Sequence, residues 1–306
     1  MPVLTLTRGL PGCGKSTWAE NEIRNKKAET IIVCRDNIRE MMAGSHQNYR
    51  FRGTSEDMIT EIQLTMISEA YKKGWNVIVA DTNLSSLCDK ISIHAKVLGF
   101  DVRIKDFYKD FIAENGLSDD YFGMRKFSLK CKQQDVMRSK VAGEEIIDGM
   151  LEKYYYSTLS IPFNDPALEQ AVIFDIDGTL ANHDGIRSPF DESKVLLDLP
   201  HPEVIEMVKA EREFHKRKII IMSGRKSSSR TDTMKWLEDN GVQYDYLYMR
   251  DAKDSRSDDI VKYELYMEHV NGKYYVNKIY DDRQKVCDMW RTALSLRVFQ
   301  VAPGNF

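Results

Sequence analysis

The sequence of 306 residues suits two domains of ordinary size, and its 42% hydrophobic residues can supply two buried cores. No apolar run approaches the ~20 residues of a membrane-spanning helix, and the start lacks the basic and apolar regions of a signal peptide, so we expect no membrane association. A net charge of −3 disfavours a protein that coats nucleic acid along its length. Five scattered cysteines favour free thiols in a reducing cytoplasm: Cys13, Cys34, Cys88, Cys131 and Cys287.

Strand and helix signals alternate along the sequence, a pattern typical of α/β proteins with mostly parallel sheets. The first half predicts strands over 3–7, 30–34 and 75–80, helices over 16–25 and 55–73, and a helical lid over 117–156. The second half predicts strands over 171–174, 218–222 and up to 280, with helices over 202–216 and 231–240. Two prolines and an Asn-Asp pair mark 156–169 as a linker. We therefore expect two doubly wound domains, over residues 1–155 and 170–306.

A glycine-rich loop follows the first predicted strand. Residues 9–16 read Gly-Leu-Pro-Gly-Cys-Gly-Lys-Ser and fit the phosphate-binding pattern G-x-x-x-x-G-K-[ST]. Glycines let successive backbone N–H groups surround the phosphates of ATP, and the helix that follows directs its positive end at them. Lys15 would reach the transferred phosphate, and Ser16 would bind Mg²⁺. The expected nucleotide-binding residues are Gly9, Gly12, Gly14, Lys15, Ser16 and Thr17.

Carboxylates follow the next two predicted strands. Asp36 stands at the end where open α/β sheets place ligands, and a carboxylate there can accept the proton of an attacking hydroxyl. If a helix begins at this point, Arg39 lies near the same face and can hold a phosphate of the acceptor. Asp81, after the third strand, stands at the position of an acceptor-orienting carboxylate or a water-mediated Mg²⁺ contact. The alternative for both aspartates is a helix-capping role.

A second acidic motif opens the C-terminal half. Residues 172–180 read Val-Ile-Phe-Asp-Ile-Asp-Gly-Thr-Leu, and Asp175 and Asp177 point the same way along an extended segment. One carboxylate can attack phosphorus while its neighbour handles the proton of the leaving group. The separation between Asp177 and Ser223 leaves room for a flap, a helix and a strand. It leaves no room for a large cap domain, so we expect an open pocket that admits a polymer end.

Three segments of the first half resemble the 5′-kinase domain of the T-even-phage-type polynucleotide kinase/3′-phosphatase family: the loop over 9–16, Arg-Asp-Asn-Ile-Arg over 35–39, and Asp-Thr-Asn-Leu over 81–84. The resemblance implies that Asp36 is the general base and that Arg39 contacts the phosphate beside the reacting 5′-hydroxyl. It also implies a lid arginine that steadies the transferred group, which Arg138 matches best. Where the family has a second lid arginine this sequence has Gln134, and Arg125 or Lys132 could substitute; a solvated helix face is the alternative for Arg138.

The acidic motif is similar to that of the haloacid-dehalogenase phosphatase superfamily, which implies a Rossmann-like fold; by the spacing above, this fold has little or no cap. By this resemblance Asp175 is the nucleophile that forms a phosphoaspartate, Ser223 donates to the phosphate and Lys262 neutralises it. The implied Mg²⁺ ligands are Asp175, the main-chain carbonyl of Asp177, Asp281 and Asp282. This half also resembles the polynucleotide kinase/3′-phosphatase family in the tail over 300–306, and together the two resemblances imply Arg225 and Asp258 as further catalytic residues and Arg250 as a substrate-binding residue.

Together the two halves predict nucleic-acid end repair. An ATP-dependent kinase would phosphorylate 5′-hydroxyl ends, and a Mg²⁺-dependent phosphatase would remove 3′-phosphates, including 2′,3′-cyclic ones, from RNA or DNA. The resemblance further implies a homo-oligomer that acts before a ligase. Two alternatives stay open: a small-molecule kinase fused to a metabolite phosphatase, and a non-catalytic, ATP-gated protein that binds broken ends. The lack of room for a cap and the position of Arg39 favour polynucleotide ends.

Overall fold

The computed structural model describes residues 1–304 apart from 26–28, 46–47, 139 and 190. The end of the tail over 300–306, and Ser139 beside the lid arginine candidate, lie outside the described residues. The chain divides into two compact units, Met1–Thr158 and Leu159–Phe306, and the division falls inside the segment predicted as a linker. None of the described helices combines the length and the apolar character that a membrane crossing requires.

The first unit is built on a four-stranded parallel sheet with strand order β2-β3-β1-β4. Its strands are β1 (Val3–Arg8), β2 (Thr30–Val33), β3 (Asn76–Val79) and β4 (Asp101–Asp106). Its helices are α1 (Lys15–Asn25), α2 (Arg35–Ala43), α3 (Gly53–Lys72), α4 (Leu87–Leu98), α5 (Phe107–Glu114), α6 (Tyr121–Asp135) and α7 (Glu144–Tyr154). The stretch predicted as a helical lid therefore consists of two helices, α6 and α7.

Helices cover both faces of this sheet because successive side chains of a strand point to opposite sides. Val77 and Val79 of β3 pack in one apolar cluster with residues of α3 and α4. Ile78, between them, packs instead against Ala19 of α1. This alternation confirms the doubly wound arrangement that the sequence predicts.

The second unit contains a five-stranded parallel sheet with strand order β11-β10-β5-β8-β9 and a small antiparallel pair, β6 and β7. The strands are β5 (Glu169–Phe174), β6 (Ala181–Asn182), β7 (Leu199–Pro200), β8 (Lys218–Lys226), β9 (Tyr246–Arg250), β10 (Tyr274–Arg283) and β11 (Val298–Gly304). The helices are α8 (Pro202–Glu213), α9 (Arg230–Asp239), α10 (Asp258–His269) and α11 (Gln284–Thr292). Val172 and Phe174 of β5 lie in the core with Val208 of α8 and Trp236 of α9.

Two strands of the second unit run beyond the ends that the sequence predicts. β8 continues to Lys226 and β10 to Arg283, so Ser223 and Asp281 lie within strands rather than after them. Each extension begins near a register shift, between Ser223 and Lys226 in β8 and between Asp281 and Arg283 in β10. Such irregularities keep a strand paired while re-aiming its side chains.

The described chain between Asp177 and Ser223 forms a flap rather than a cap domain. It contains β6, a 3-10 helix over Glu192–Leu197, β7 and α8. The prediction of little or no cap agrees with these elements.

Candidate nucleotide-binding and phosphatase sites

The glycine-rich loop joins β1 to the N-terminus of α1, as its sequence predicts. Gly12 and Gly14 adopt φ values of +80° and +100°, which residues other than glycine rarely adopt. A Cβ on Gly12 would also lie 2.2 Å from the carbonyl oxygen of Cys131 in α6. Ser16 and Thr17 are exposed in the first turn of α1, where helix N-termini bind phosphates.

Lys15 folds back over the loop. Its Nζ donates to the carbonyl oxygens of Gly9 at 3.0 Å and Leu10 at 2.7 Å, and to Sγ of Cys13 at 3.6 Å. These contacts hold the ammonium group at the loop itself, within reach of a phosphate that the loop binds.

Asp36 and Arg39 meet at the first turn of α2. Nη1 of Arg39 donates to Oδ1 of Asp36 at 2.6 Å, while Nε and Nη2 donate to the carboxylate of Glu56. Asp36 is 45% exposed, so its carboxylate is open to an acceptor. The sequence predicts correctly that Arg39 lies near Asp36, but it does not predict that both of them adjoin Glu56 of α3.

Glu56 connects several groups beside this pair. It also accepts from Nη2 of Arg35 at 2.7 Å and from the hydroxyl of Tyr49 at 2.8 Å. Burial alone would raise the pKa of Glu56, but the hydrogen bonds from Arg39, Arg35 and Tyr49 lower it to about 2. Its negative charge therefore fixes the guanidinium group of Arg39 in position.

Asp81 lies just after β3 and forms a hydrogen bond with the segment that follows β2. Its Oδ1 accepts from the backbone N–H of Arg35 at 2.9 Å, and its Oδ2 accepts from Nε2 of Gln63 at 2.7 Å. Burial raises the pKa of Asp81 against these hydrogen bonds. The first contact ties the end of β3 to the start of α2, so Asp81 fixes the backbone beside Asp36. Its predicted contact with Mg²⁺ or acceptor stays a prediction.

The lid arginine candidate pairs with an aspartate of α6 that packs against the glycine-rich loop. Nη1 of Arg138 donates to Oδ1 of the buried Asp135 at 2.8 Å, and a Cβ on Gly12 would lie 3.1 Å from Cβ of Asp135. Lys132 instead pairs with Asp148 of α7 at 2.7 Å. Of these two cations, Arg138 is therefore the one whose partner packs against the loop.

Three buried carboxylates of the second unit converge where β5 and β10 end. Oxygen atoms of Asp175, Asp281 and Asp282 lie within 4.8 Å of one another. Nζ of Lys262 lies 2.9 Å from Oδ1 of Asp175 and 2.8 Å from Oδ2 of Asp281. Burial raises the pKa of Asp175 well above its usual value, and burial together with Asp281 raises that of Asp282 to about 6. The structure thus brings together the predicted nucleophile, lysine and paired acids.

Asp177 is held by two arginines. Nε of Arg225 donates to its Oδ2 at 2.8 Å, and Nη2 of Arg187 donates to its Oδ1 at 2.6 Å. Both arginines also bind the buried Asp198. Burial would raise the pKa of Asp177, but the positive charge of Arg225 and then of Arg187 lowers it.

Asp258 forms ion pairs with two further arginines, Arg250 and Arg283. Nε of Arg250 donates to the carbonyl oxygen of Gly224 at 2.7 Å, and Arg250 is buried. Arg250 therefore positions Asp258 and the backbone near Ser223. Its predicted contact with substrate stays a prediction.

Sequence reasoning missed Arg187, Asp198 and Glu56. Arg187 and Asp198 lie in the flap, where periodicity is weak. A weak signal for Glu56 was available, since it stands in the first turn of a long predicted helix, where acidic residues are common whatever their role. Each acts through contacts between residues distant in sequence, which a single sequence does not reveal.

Comparisons with known proteins agree with this geometry. Residues 169–306 match the family described as the polynucleotide kinase PNKP phosphatase domain, and residues 4–98 match the AAA domain family. The chain is 29% identical over 304 residues to a bifunctional polynucleotide kinase/RNA ligase of Autographa californica nuclear polyhedrosis virus, which covers 96% of this chain. It spans 41% of the length of that relative.

Two solved structures are also similar. A structure of the Pnkp1/Rnl/Hen1 RNA repair complex contains a chain 30% identical to this one, with coverage of 100% of this chain and 97% of that chain and a TM-score of 0.45. A structure of the Pnkp1/Rnl/Hen1 complex gives 30% identity, coverage of 100% and 98%, and a TM-score of 0.46. From the two family matches, the chain belongs to the polynucleotide kinase–phosphatase family, with a nucleotide-binding unit followed by the phosphatase domain.

Proposed function

We propose that this protein repairs nucleic-acid ends with two activities. The first unit transfers a phosphate from ATP to a 5′-hydroxyl end, and the second unit removes a phosphate from a 3′ end. The observation that carries the proposal is the convergence of Asp175, Lys262, Asp281 and Asp282 in a unit that matches the phosphatase domain of polynucleotide kinase.

The kinase half is supported by the loop and by the pair of Asp36 and Arg39. The loop and the N-terminus of α1 would hold the phosphates of ATP, with Lys15 turning from the loop carbonyls to the transferred phosphate. Asp36 would accept the proton of the attacking 5′-hydroxyl. Arg39, fixed by Glu56, would orient the acceptor phosphate. Arg138 would steady the transferred group.

The phosphatase half is supported by the positions of Asp175 and Asp177. Oδ2 of Asp175 would attack phosphorus, since its Oδ1 is held by Lys262. Asp177 would handle the proton of the leaving 3′-oxygen. Ser223, on the neighbouring strand, would donate to the phosphate. Arg225 would hold the carboxylate of Asp177 in position, and Asp258 would hold Arg250.

The three clustered carboxylates fit a magnesium ion. They offer oxygen ligands, which Mg²⁺ prefers, and their mutual repulsion in a buried place calls for a neutralising cation. A Cβ on Gly178 would lie 2.2 Å from Oδ2 of Asp282, so only glycine lets the backbone after Asp177 approach this cluster. When bound, the ion would neutralise negative charge on the phosphate. In the kinase half, Ser16 would be the corresponding ligand.

A polynucleotide acceptor is favoured by an exposed aromatic residue between two arginines. Phe51 is 70% exposed, and Arg50 and Arg52 beside it are exposed as well. The guanidinium carbon of Arg39 lies 5.1 Å from the centroid of the Phe51 ring. Aromatic rings flanked by positive charge bind single-stranded nucleic acid by base stacking and phosphate contacts. Phe51 would therefore stack on a base of the strand whose 5′ end reaches Asp36.

The expected partners follow from the products. A 5′-phosphate and a 3′-hydroxyl are the ends that a ligase joins, and the viral relative carries both kinase and RNA ligase in its name. We propose that RNA or DNA ends are the substrates and that a ligase acts next. We also propose that the protein is a homo-oligomer, and light scattering would measure its oligomeric state. The five free cysteines support a reducing compartment such as the cytoplasm.

The decisive experiment uses labelled oligonucleotides of RNA and of DNA, some with a 5′-hydroxyl and some with a 3′-phosphate. They are incubated with ATP with and without Mg²⁺, and nucleosides serve as the small-molecule comparison. Mg²⁺-dependent labelling of 5′ ends and loss of 3′-phosphate support the proposal. Efficient turnover of nucleosides with none of oligonucleotides would favour the small-molecule alternative.

A further inference from the structure

The nucleotide-binding loop carries a thiol that contacts a second thiol from α6. Cys13 lies in the loop and Cys131 in the middle of α6, and both are buried, at 5% and 0% exposure. Sγ of Cys13 lies on the side of the loop that faces α6, since a Cβ on Gly9 would lie 2.7 Å from this sulfur and 3.7 Å from Cζ of Phe127, one helical turn before Cys131. The backbones are close as well, because a Cβ on Gly12 would lie 2.2 Å from the carbonyl oxygen of Cys131. The sequence, in which the two residues are far apart, predicts no such pair.

We infer that Cys13 and Cys131 form a thiol modification site, at which hydrogen peroxide converts the pair into a disulfide that inactivates the nucleotide-binding loop. The loss of kinase activity rests on the proposed function, whereas the disulfide itself does not.

The two thiols have different roles in this chemistry. Nζ of Lys15 donates to Sγ of Cys13 at 3.6 Å, which places a positive charge beside that sulfur. Burial raises the pKa of Cys13, but the hydrogen bond from Cys131 and the charge of Lys15 outweigh it, so the pKa falls to about 7. The hydrogen bond to Cys13 and burial raise the pKa of Cys131. Cys13 is therefore the thiolate that reacts first, and Cys131 is the thiol that resolves it.

The reaction balances with hydrogen peroxide as the oxidant. The thiolate of Cys13 attacks one peroxide oxygen, the O–O bond breaks, and hydroxide leaves, which gives a sulfenic acid. Sγ of Cys131 then attacks the sulfur of Cys13, the S–O bond breaks, and hydroxide leaves while Cys131 gives up its proton. In total, the two thiols lose two hydrogen atoms and the peroxide becomes two molecules of water.

The disulfide would change the loop that holds the phosphates. An S–S bond of about 2 Å is much shorter than a hydrogen bond between thiols, so Cys13 and the loop must move toward α6. Lys15 would lose one of its three acceptors. The loop N–H groups would then no longer surround the phosphates, and ATP binding would fail.

Two other cysteines, Cys34 and Cys287, differ from Cys13 in the ease with which they ionise. Burial raises the pKa of Cys34 to about 11 and that of Cys287 to about 12, which keeps both as thiols. Mild peroxide should therefore react with Cys13 before these two, and the mass-spectrometric mapping below compares it with Cys88.

The test compares the wild-type protein with Cys131→Ser and with Cys88→Ser, a matched substitution of another buried thiol in the first unit. Each reduced protein is treated with increasing hydrogen peroxide, quenched with catalase, alkylated and mapped by mass spectrometry. 5′-kinase and 3′-phosphatase activities are measured on the same samples before and after dithiothreitol.

We expect a peptide pair linked through Cys13 and Cys131, loss of kinase activity with retained phosphatase activity, and recovery with dithiothreitol. Cys131→Ser should keep the wild-type kinase rate in reducing buffer and form no such link, while Cys88→Ser should behave like the wild type. If Cys131→Ser does not fold, Cys131→Ala replaces it. A wild-type protein that forms no Cys13–Cys131 link overturns the inference. If the link forms in a protein that has no kinase activity even when reduced, the proposed function fails and the modification site stands.

Discussion

Nζ of Lys262 lies 2.9 Å from Oδ1 of Asp175, a contact between a fully buried ammonium group and a buried carboxylate. Burial alone would lower the pKa of Lys262, but Asp175 and Asp281 raise it, so the lysine stays charged. The contact leaves the other oxygen of Asp175 for attack on phosphorus. Lys262 thus orients the nucleophile and supplies positive charge next to the phosphate.

Asp175→Asn should remove the 3′-phosphatase activity and leave the 5′-kinase activity unchanged. The amide keeps the size of the side chain but is a poor nucleophile, so we expect a loss of about 10³-fold or more in kcat. Release of phosphate from a 3′-phosphorylated oligonucleotide measures the loss, and kinase activity of the same preparation controls for folding. Joint loss of both activities in a folded protein would contradict the assignment.

Lys15→Ala should remove the 5′-kinase activity and leave the 3′-phosphatase activity unchanged. The substitution removes the ammonium group that the loop carbonyls of Gly9 and Leu10 hold near the phosphate position. Because that charge acts on the transferred group, we expect kcat of the kinase to fall by about 10²-fold or more. Transfer of labelled phosphate from ATP to a 5′-hydroxyl oligonucleotide measures it. A kinase rate equal to that of the wild type would refute the role of the loop.

Much of the fold and of the candidate sites follows from the sequence, because local rules govern those parts. The glycine loop and the acidic motif each combine a strand with a turn, so their positions at the carboxyl ends of β1 and β5 could be predicted. The strand over Asp101–Asp106 could not, since its charged residues alternate with few apolar ones on an edge strand. The contact of Cys13 with Cys131 could not either, because it depends on how α6 packs on the loop.

Glu56→Gln should weaken both the kinase and the first unit. The amide cannot accept the four hydrogen bonds that the carboxylate receives from Arg35, Arg39 and Tyr49, so Arg39 loses its fixed position. We expect stability to fall by about 1 to 3 kcal/mol, measured by urea unfolding of the wild type and the variant. The kinase kcat/KM should fall by about tenfold or more through Arg39, whereas the phosphatase should not change.

The loss of stability in Glu56→Gln should depend on pH, and the sign of that dependence follows from the pKa of Glu56. Against the effect of burial, the hydrogen bonds from Arg39, Arg35 and Tyr49 lower the pKa of Glu56 from 4.5 to about 2, so folding stabilises its ionised form. The contribution of Glu56 to the free energy of unfolding is fully present above pH 4.5 and is lost as the pH falls from 4.5 toward 2. The stability difference between the wild type and Glu56→Gln should therefore shrink over that window. A difference that grows with acidification would show that Glu56 is not the acceptor of these hydrogen bonds.

Arg187→Met should destabilise the second unit more than any of the other changes. Arg187 and Asp198 have fully buried side chains, with Nε of Arg187 2.7 Å from Oδ1 of Asp198. Removing the arginine leaves Asp198 buried with fewer positive charges, which costs about 3 to 5 kcal/mol. Urea unfolding measures the loss, and Arg256→Met, at a half-exposed pair, is the control that should change stability little.

Phe51→Ala should weaken binding of the oligonucleotide acceptor without changing the chemistry of transfer. Phe51 is 70% exposed and lies beside Arg39, which donates to Asp36 at 2.6 Å, so a base stacked on it belongs to the strand entering the kinase site. Loss of one stacking contact predicts a rise in KM for the 5′-hydroxyl oligonucleotide of about 5- to 150-fold, with kcat and the KM for ATP unchanged. Phe214→Ala, at a residue 81% exposed in the second unit, is the matched control and should leave all three constants unchanged. If Phe51→Ala and Phe214→Ala behave alike, the acceptor strand does not use this aromatic residue, and the path of the nucleic acid away from Asp36 must follow another surface.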